Sequence, residues 1–264
     1  MNTSSSSPSI PLDVTNRFVL DCALAYGGRA LDYGCGAGGL VDAGVAQGLD
    51  VWGTDVFYGG SVIDRTDAEA AGLLGDRVRG MSHDGRIPFA DETFDVVTNN
   101  QVMEHVEGLD GTLREIHRVL KKGGTVLSLF PPIDVWREGH IGIPFAHRLP
   151  KGSALRLWYT SGLRTVGFGK YKEDAQTAKD WALDKLDWID KWTSYRSRNE
   201  IFSAYARYFH SELHESAYIR YRLLDHPGTL PKLLAATTTV PVLSDLEQAL
   251  FRKLAFFVIV SKKV

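Results

Sequence analysis

The sequence predicts an α/β fold: a doubly wound, mostly parallel sheet of seven strands, with a helical cap inserted before the last strands. Short apolar runs alternate with segments of helical periodicity as far as Phe130, which is the pattern of repeated β-α-β units. The amino-acid composition changes after Pro132, since five of the six tryptophans fall between Trp136 and Trp192. A regular core followed by an aromatic-rich insertion is therefore expected.

Five strands and their intervening helices are predicted in the first half of the chain. A helix is expected over residues 13–27, with Asp13 or Thr15 as its N-cap and a pair of glycines at its end. The strands are expected near residues 30–33, 50–55, 77–82, 93–99 and 125–130. The helix before the fifth strand is expected to end in the Lys-Lys-Gly-Gly of residues 121–124, because cations and glycine suit a helix C-terminus.

The second half of the chain reads mainly as helices between about residues 174 and 239. One strand is predicted near residues 208–213, and an apolar run closes the chain as a strand over residues 253–263. The predicted organisation has three parts: a disordered tail at residues 1–12, a core of residues 13–130 and 254–264, and residues 131–253 as a substrate-binding loop, a late core strand and the cap.

The composition limits the classes of function. With 44% hydrophobic and 23% charged residues, the 264-residue chain is typical of globular proteins. A net charge of −2 lacks the basic footprint of a nucleic-acid-binding protein, and two cysteines make no disulfide framework. The N-terminus lacks the features of a signal peptide and no apolar run is long enough to span a bilayer. We expect a cytoplasmic monomer or homodimer without membrane insertion or a nucleic-acid partner.

The clearest chemical signal is the glycine turn after the first strand. Asp32 precedes Gly34, Gly36 and Gly38, and Cys35 suits the turn as a small side chain that packs. Glycine accepts positive φ and lets a ligand approach without a Cβ, and a turn that opens a helix favours negative charge. The G-x-G-x-G spacing differs from the G-x-G-x-x-G of dinucleotide enzymes.

Further polar residues follow the next strands. Asp55 ends the second strand about 20 residues after the turn, the interval expected of an acid that accepts hydrogen bonds from ribose. Asp84 follows the third strand, and Asn100 and Gln101 follow the fourth. Ligands of open α/β sheets bind at this carboxyl edge. The alternatives are a solvated loop aspartate at position 55 and a loop cap at position 84.

In this order the segments resemble the motifs of class I S-adenosylmethionine (SAM) dependent methyltransferases, nearest to the group that includes ubiquinone-pathway enzymes. The stretch Ile87-Pro-Phe89 to Phe94-Asp95 resembles the family's "lPF-x-d-x-sFD", and the run from Leu113 resembles "l-x-E-i-x-RVLKPGG" with a lysine in place of the proline. The resemblance implies a Rossmann-like methyltransferase fold, SAM as the cofactor and S-adenosyl-L-homocysteine as its product.

The resemblance also implies roles for residues. The glycine turn contacts the methionine end, Asp55 the ribose and Asp84 the adenine amino group. The expected cofactor contacts are Asp32, Gly34, Cys35, Gly36, Gly38, Asp55, Val56, Asp84, Gly85, Asn100, Gln101 and His105.

Catalytic and acceptor-binding residues are expected on the loop after the fifth strand, since sites concentrate on loops. Residues 131–148 hold carboxylates, two histidines and two arginines beside an aromatic ring. The expected catalytic residues are His140 as general base, Glu138 as its orienting carboxylate, with Asp134 as the alternative, and His147 as a substrate contact. The expected acceptor contacts are Trp136, Arg137, Arg148, Tyr195 and Arg196. Both histidines have the alternative of a structural role.

The sequence leaves several interpretations open. The favoured reaction is in-line methyl transfer to the oxygen of a polar acceptor, such as a sugar, a glycan precursor or a phosphorylated compound. Alternatives are a natural-product, quinone-precursor or amine acceptor, a SAM-binding protein without catalysis, and a nucleotide oxidoreductase. No metal is predicted, because the spacing of the candidate ligands Asp134, Glu138, His140 and His147 matches no sharp metal motif.

Overall fold

The computed structural model describes residues 12–59, 65–82, 84–173 and 177–264. The predicted disordered tail lies outside this part of the chain, except for Leu12. The seven strands are β1 (Arg29–Tyr33), β2 (Asp50–Asp55), β3 (Val78–Gly80), β4 (Phe94–Asn100), β5 (Leu120–Phe130), β6 (Phe209–Leu213) and β7 (Phe257–Lys263). They form one sheet in the order β3-β2-β1-β4-β5-β7-β6.

The predicted mostly parallel sheet is confirmed. Strands β1 to β5 are parallel to one another, whereas β7 runs antiparallel to both of its neighbours, β5 and β6. Asp32 in β1 pairs with Gly53 on one side and with Thr98 on the other. The chain moves outward from β1 to β3 and then returns to β4, so β1 and β4 meet at a topological switch point, where open α/β sheets bind ligands.

Ten helices of the described residues surround the sheet. They are α1 (Val14–Tyr26), α2 (Gly39–Ala46), α3 (Arg65–Ala70), α4 (Leu109–Val119), α5 (Ala154–Thr165), α6 (Ala178–Trp192), α7 (Arg198–Tyr205), α8 (Glu215–Asp225), α9 (Thr229–Leu234) and α10 (Pro241–Leu254). The predicted N-cap of the first helix is confirmed, because the Asp13 carboxylate accepts a hydrogen bond from the N–H of Asn16 at 2.8 Å.

Three apolar clusters hold these elements together. On one face of the sheet, residues of α4 and α7 such as Leu113 and Tyr205 pack on the strands. On the other face, residues of α1, α2 and α8 do so. The third cluster joins α5 and α6 to the loop after β5 around Trp181, which is completely buried. This cluster sets α6 above the carboxyl edge of the sheet.

Two predicted boundaries are wrong. Helix α4 ends at Val119, and Lys121 lies in β5, where its ammonium group binds the Asp95 carboxylate at 2.8 Å. Pairing with β4 thus overrides the local C-cap signal. The last strand starts at Phe257 and not near residue 253, because α10 continues to Leu254.

Within the described residues, no helix has both the length and the apolar character needed to cross a bilayer.

Candidate active site

A cleft of about 710 Å³ opens at the carboxyl edge of the sheet. Its floor is formed by the turns after β1, β2 and β4, and its roof by α6 and the loop after β5. The volume lies within the usual range of small-molecule pockets, about 300 to 1,000 Å³. Two ends of the cleft can be distinguished: a cofactor end at the glycine turn, and an acceptor end beneath the cap.

The glycine turn needs its glycines for conformation and for space. Gly34, Gly36 and Gly38 have φ values of 78°, 52° and 83°, which disfavour residues with a Cβ. A Cβ on Gly34 would lie 2.4 Å from a methyl group of Val102. Cys35 packs against Gly53, and burial raises the pKa of its thiol, which agrees with a packing role for this side chain.

Asp55 is held at the cleft by the backbone. One carboxylate oxygen accepts a hydrogen bond from the N–H of Gly36 at 2.9 Å, and the other accepts from the N–H of Phe57 at 2.7 Å. Each oxygen retains lone-pair capacity for a further donor. The neighbouring Val56 also lines the cleft. The carboxylate is therefore oriented before any ligand binds.

The end of the cleft beneath β1 and β4 offers acceptors. Asp32 is almost buried and accepts a hydrogen bond from the Thr98 hydroxyl at 2.9 Å; burial raises its pKa to about 7. Asn100 donates to the side chain of Asn16 at 2.9 Å, while its own amide oxygen is buried and has no partner in the part of the chain that the structure describes. Gln101 takes a left-handed φ of 56° at the strand end, a conformation that often marks functional positions.

Asp84 and Gly85 are not among the residues that line the cleft. The Asp84 carboxylate is exposed and accepts hydrogen bonds from the Ser82 hydroxyl and from the N–H of Arg86. These are the contacts of a loop cap, the alternative considered for this residue. From the loop after β3, the cleft is instead lined by Met81.

At the acceptor end, a buried carboxylate orients His140. Glu138 accepts hydrogen bonds from the Tyr195 hydroxyl at 2.5 Å, from Nδ1 of His140 at 2.7 Å and from the N–H of Ile141 at 2.6 Å. Burial opposes its ionisation, but these hydrogen bonds outweigh burial and lower the pKa of Glu138 to about 2. Because the carboxylate only accepts, the proton of the neutral His140 ring lies on Nδ1, and Nε2 is left with a lone pair.

A second histidine has the same arrangement. Nδ1 of His105 lies 2.7 Å from the carbonyl oxygen of Trp192, so this nitrogen carries the proton that is donated. Nε2 of His105 lies 3.3 Å from Nε2 of His140. Burial lowers the pKa of His105. The unprotonated Nε2 atoms of the two rings thus face each other.

Three aromatic rings line the acceptor end, and the buried Glu104 lies next to its two histidines. The sequence prediction missed Glu104 and Tyr58. Glu104 is 1% exposed, neither of its carboxylate oxygens has a hydrogen-bond partner within the described ranges, and burial raises its pKa to about 7. The ring of Tyr58 lies 5.1 Å from that of Trp192, and the ring of Trp188 lies 5.1 Å from His140. The signal available in the sequence was that Glu104 directly precedes His105, a residue already expected at the site.

Several expected acceptor residues are not part of the cleft lining. His147 contacts the Ile133 carbonyl at 3.0 Å through Nε2, so the structural alternative describes its contacts better than a substrate role. Trp136 is 44% exposed outside the cleft. Tyr195 does not line the cleft. Its hydroxyl group donates to Glu138, so it can affect the site only through that carboxylate.

The expected arginines bind backbone carbonyl groups instead of facing the cleft. Arg148 donates to Ile133 and Asp134, Arg137 donates to Gly142, and Arg196 donates to four carbonyl groups of two neighbouring segments. Among the described residues that line the cleft, Lys185 is the only lysine or arginine. The structure thus gives no support to the arginine cluster expected for a phosphorylated acceptor.

Comparison with known proteins identifies the core. Residues 31–128 match the family model described as a methyltransferase domain. Over 96 residues the chain is 39% identical to the ubiquinone biosynthesis O-methyltransferase of Ruegeria pomeroyi, covering 36% of this chain and 38% of that protein. Residues 31–128 are a class I SAM-dependent methyltransferase domain.

Other relatives of the methyltransferase domain agree. A ubiquinone/menaquinone biosynthesis C-methyltransferase of Vibrio vulnificus is 32% identical over 142 residues, which cover 51% of this chain and 54% of that protein. The fold is similar to the crystal structure of a SAM-dependent methyltransferase from Mesorhizobium loti, with a TM-score of 0.53 and 18% identity over 96% of this chain and 98% of that one. The chain spans about two fifths to one half of the length of these two curated relatives.

Proposed function

We propose that this chain transfers a methyl group from SAM to a hydroxyl group on a small, neutral, ring-containing molecule. The observation that carries the proposal is one continuous cleft. It joins the glycine turn and Asp55 at one end to His105, His140 and aromatic walls at the other. Such a cleft can hold a donor and an acceptor next to each other, which is the main requirement of a direct transfer.

The residues at the cofactor end suit SAM. Asp32 and the Asn100 amide oxygen, which has no partner among the described residues, are acceptors that match an ammonium group, and the N-terminus of α2 directly after the glycine turn favours a carboxylate. Asp55 has lone pairs for the two ribose hydroxyls. When bound, SAM supplies a methyl group on a sulfonium sulfur, which is already a good leaving group. The adenine contact of Asp84 stays a sequence prediction.

The acceptor end favours a neutral ring. Tyr58, Trp188 and Trp192 provide aromatic surface on which a phenol, a quinol or a sugar can stack. Lys185 is the only cation of the described lining, so a phosphorylated acceptor is disfavoured. The two curated relatives compared above are named for quinone biosynthesis, which supports a ring-containing acceptor.

His140, oriented by Glu138 and next to His105, can act on the hydroxyl group of the acceptor. Glu138 fixes the His140 ring with Nε2 toward His105 and the cleft, in reach of an acceptor oxygen beneath the cap. His140 can accept the hydroxyl proton as a general base, as expected from the sequence. Alternatively, it can position the acceptor oxygen without accepting its proton. The proposed methyl transfer is compatible with both.

Two measurements test the proposal. Calorimetry with S-adenosylhomocysteine should detect one site per chain, and no binding would contradict the proposal. Labelled SAM should then be offered with four acceptors in two matched pairs: a neutral dihydric phenol and its monophosphate ester, and a neutral sugar and its monophosphate ester, each of which keeps a free hydroxyl group. Transfer to a neutral acceptor, at least tenfold above its ester, is expected. Preference for the ester, or binding of SAM without transfer to any acceptor or cell extract, would overturn the acceptor assignment.

A further inference from the structure

We propose that Glu104, His105 and His140 together bind one divalent cation of the zinc class at the acceptor end of the cleft. A ligand atom from each of the three residues lies within 4.8 Å of the other two. Two imidazoles and one carboxylate suit Zn²⁺, Fe²⁺ or Co²⁺. Three protein ligands leave at least one coordination position open, as in catalytic metal sites.

The separation of the two imidazole nitrogens matches this donor set. Nitrogens bound to tetrahedral zinc are each about 2.0 to 2.1 Å from the metal, so two of them lie about 3.3 Å apart. Nε2 of His105 and Nε2 of His140 are 3.3 Å apart. The two ligands thus have a metal-binding separation without any movement of the rings.

The orientation of both rings is fixed from outside the cluster. Nδ1 of His140 contacts the Glu138 carboxylate, and Nδ1 of His105 contacts the Trp192 carbonyl oxygen. Metal-binding histidines usually donate their other N–H to such a carboxylate or carbonyl. With both protons on Nδ1, two lone pairs point at each other across 3.3 Å. The two lone pairs repel each other, and a cation between the nitrogens would attract both.

Glu104 is an independent observation that points to the same ligand. Its side chain is 1% exposed, and neither carboxylate oxygen has a hydrogen-bond partner among the described residues. A buried carboxylate without a partner is costly. The cation that the two histidines favour would also satisfy this carboxylate, so one ion accounts for both anomalies.

The open position gives the cation a role in the proposed function, on which this step rests. A hydroxyl oxygen bound there would have its pKa lowered by the ion, and its proton would pass to water. His140 would then act as a ligand and not as the base. Metal binding itself does not depend on SAM or on the acceptor.

The test uses the full chain after removal of metal with a chelator. Co²⁺ is added while its visible absorption is recorded, and Zn²⁺ and Mg²⁺ binding are measured by calorimetry. We expect one equivalent of Co²⁺ or Zn²⁺ and at least 100-fold weaker binding of Mg²⁺, since imidazole ligands favour the former. Glu104→Gln, which keeps the side-chain shape, should weaken Co²⁺ binding at least tenfold, and His140→Ala should do so more strongly. Glu138→Gln should weaken it 10- to 100-fold.

A matched control removes imidazoles from the surface. Nε2 of His210 in β6 and Nε2 of His214 directly after β6 each lie 3.6 Å from a carboxylate oxygen of Glu212, where they can bind added metal adventitiously. The double variant His210→Ala/His214→Ala should leave the first equivalent unchanged. Circular dichroism checks that every variant is folded.

The proposal is overturned by any of three results: no stoichiometric binding, equal binding by folded Glu104→Gln, or loss of the site in the surface double variant. If the folded protein binds no stoichiometric metal, a proton between Nε2 of His105 and Nε2 of His140 would account for their contact instead. S-adenosylhomocysteine calorimetry on the same samples separates the proposals. Metal binding without S-adenosylhomocysteine binding contradicts only the proposed function, and the reverse contradicts only the metal site.

Discussion

The cofactor end and the acceptor end of the cleft hold their polar groups by different means. At the cofactor end, Asp55 is fixed by two N–H groups of nearby turns, and Asp32 lies within a strand. At the acceptor end, Glu138, His140 and Tyr195 fix one another through side-chain hydrogen bonds between separate segments. The first end is therefore built into the sheet, whereas the second depends on how the cap folds over it.

This comparison predicts that a change at one end leaves the other intact. The largest effect is expected for Asp55→Ala, which removes a carboxylate placed for two hydroxyl donors. Hydrogen bonds to a charged group contribute about 1.5 to 3 kcal/mol each, so the loss of two should make S-adenosylhomocysteine bind at least about 100-fold more weakly by calorimetry. Asp84→Ala is the matched control, since its carboxylate lies outside the cleft lining. A loss as large in Asp84→Ala would restore the predicted adenine contact.

A change at the acceptor end should affect turnover and not cofactor binding. Glu138→Gln keeps the side-chain shape but removes the charge that orients His140. We expect about 30-fold slower methyl transfer, within the range for supporting carboxylates, with S-adenosylhomocysteine affinity changed less than threefold. Tyr195→Phe removes one hydrogen bond to the same carboxylate and should give a smaller decrease. Equal loss of cofactor binding in Glu138→Gln would show that the two ends are coupled.

The same contrast explains how much the sequence could predict. Asp32, Asp55 and Asn100 each lie in or directly after a strand, so the order of strands alone brings them to one edge. Asp84 was assigned by its position in a motif, but its side chain binds its own loop. The boundary at residues 121–124 was wrong because strand pairing outweighed a local helix signal.

The acceptor end required tertiary information. Glu104, His140 and Tyr195 come from three distant segments, and no spacing in the sequence relates them. The arginines expected to bind the acceptor satisfy carbonyl groups of irregular backbone instead. A buried loop must pair its own polar backbone groups, and a sequence does not reveal which side chains that requirement will occupy.

The glycine turn provides a test of stability at the cofactor end. Gly34→Ala meets both a φ of 78° and a clash at 2.4 Å with Val102, so we expect a loss of about 2 to 3 kcal/mol in urea unfolding. Gly48→Ala is the control, because its φ is 83° but a Cβ there would meet no atom of the described residues within 4 Å. It should lose only about 1 kcal/mol, the cost of the left-handed conformation. Equal losses would mean that packing against Val102 is not limiting.

The smallest expected effect concerns the cost of keeping Asp32 buried. Burial raises the pKa of Asp32 to about 7 from an ordinary value of 3.8, so the folded chain binds this proton more tightly than the unfolded chain. This contribution to stability is complete below about pH 4 and is lost as the pH rises through 7. Asp32→Asn should therefore raise the free energy of unfolding by about 1 kcal/mol at pH 8, where the wild-type carboxylate is charged. The gain should be smaller at pH 5, where less of this stability has been lost, while S-adenosylhomocysteine binding weakens at pH 8. Thermal unfolding at both pH values measures this difference, and a pH-independent gain would mean that the buried charge is not its source.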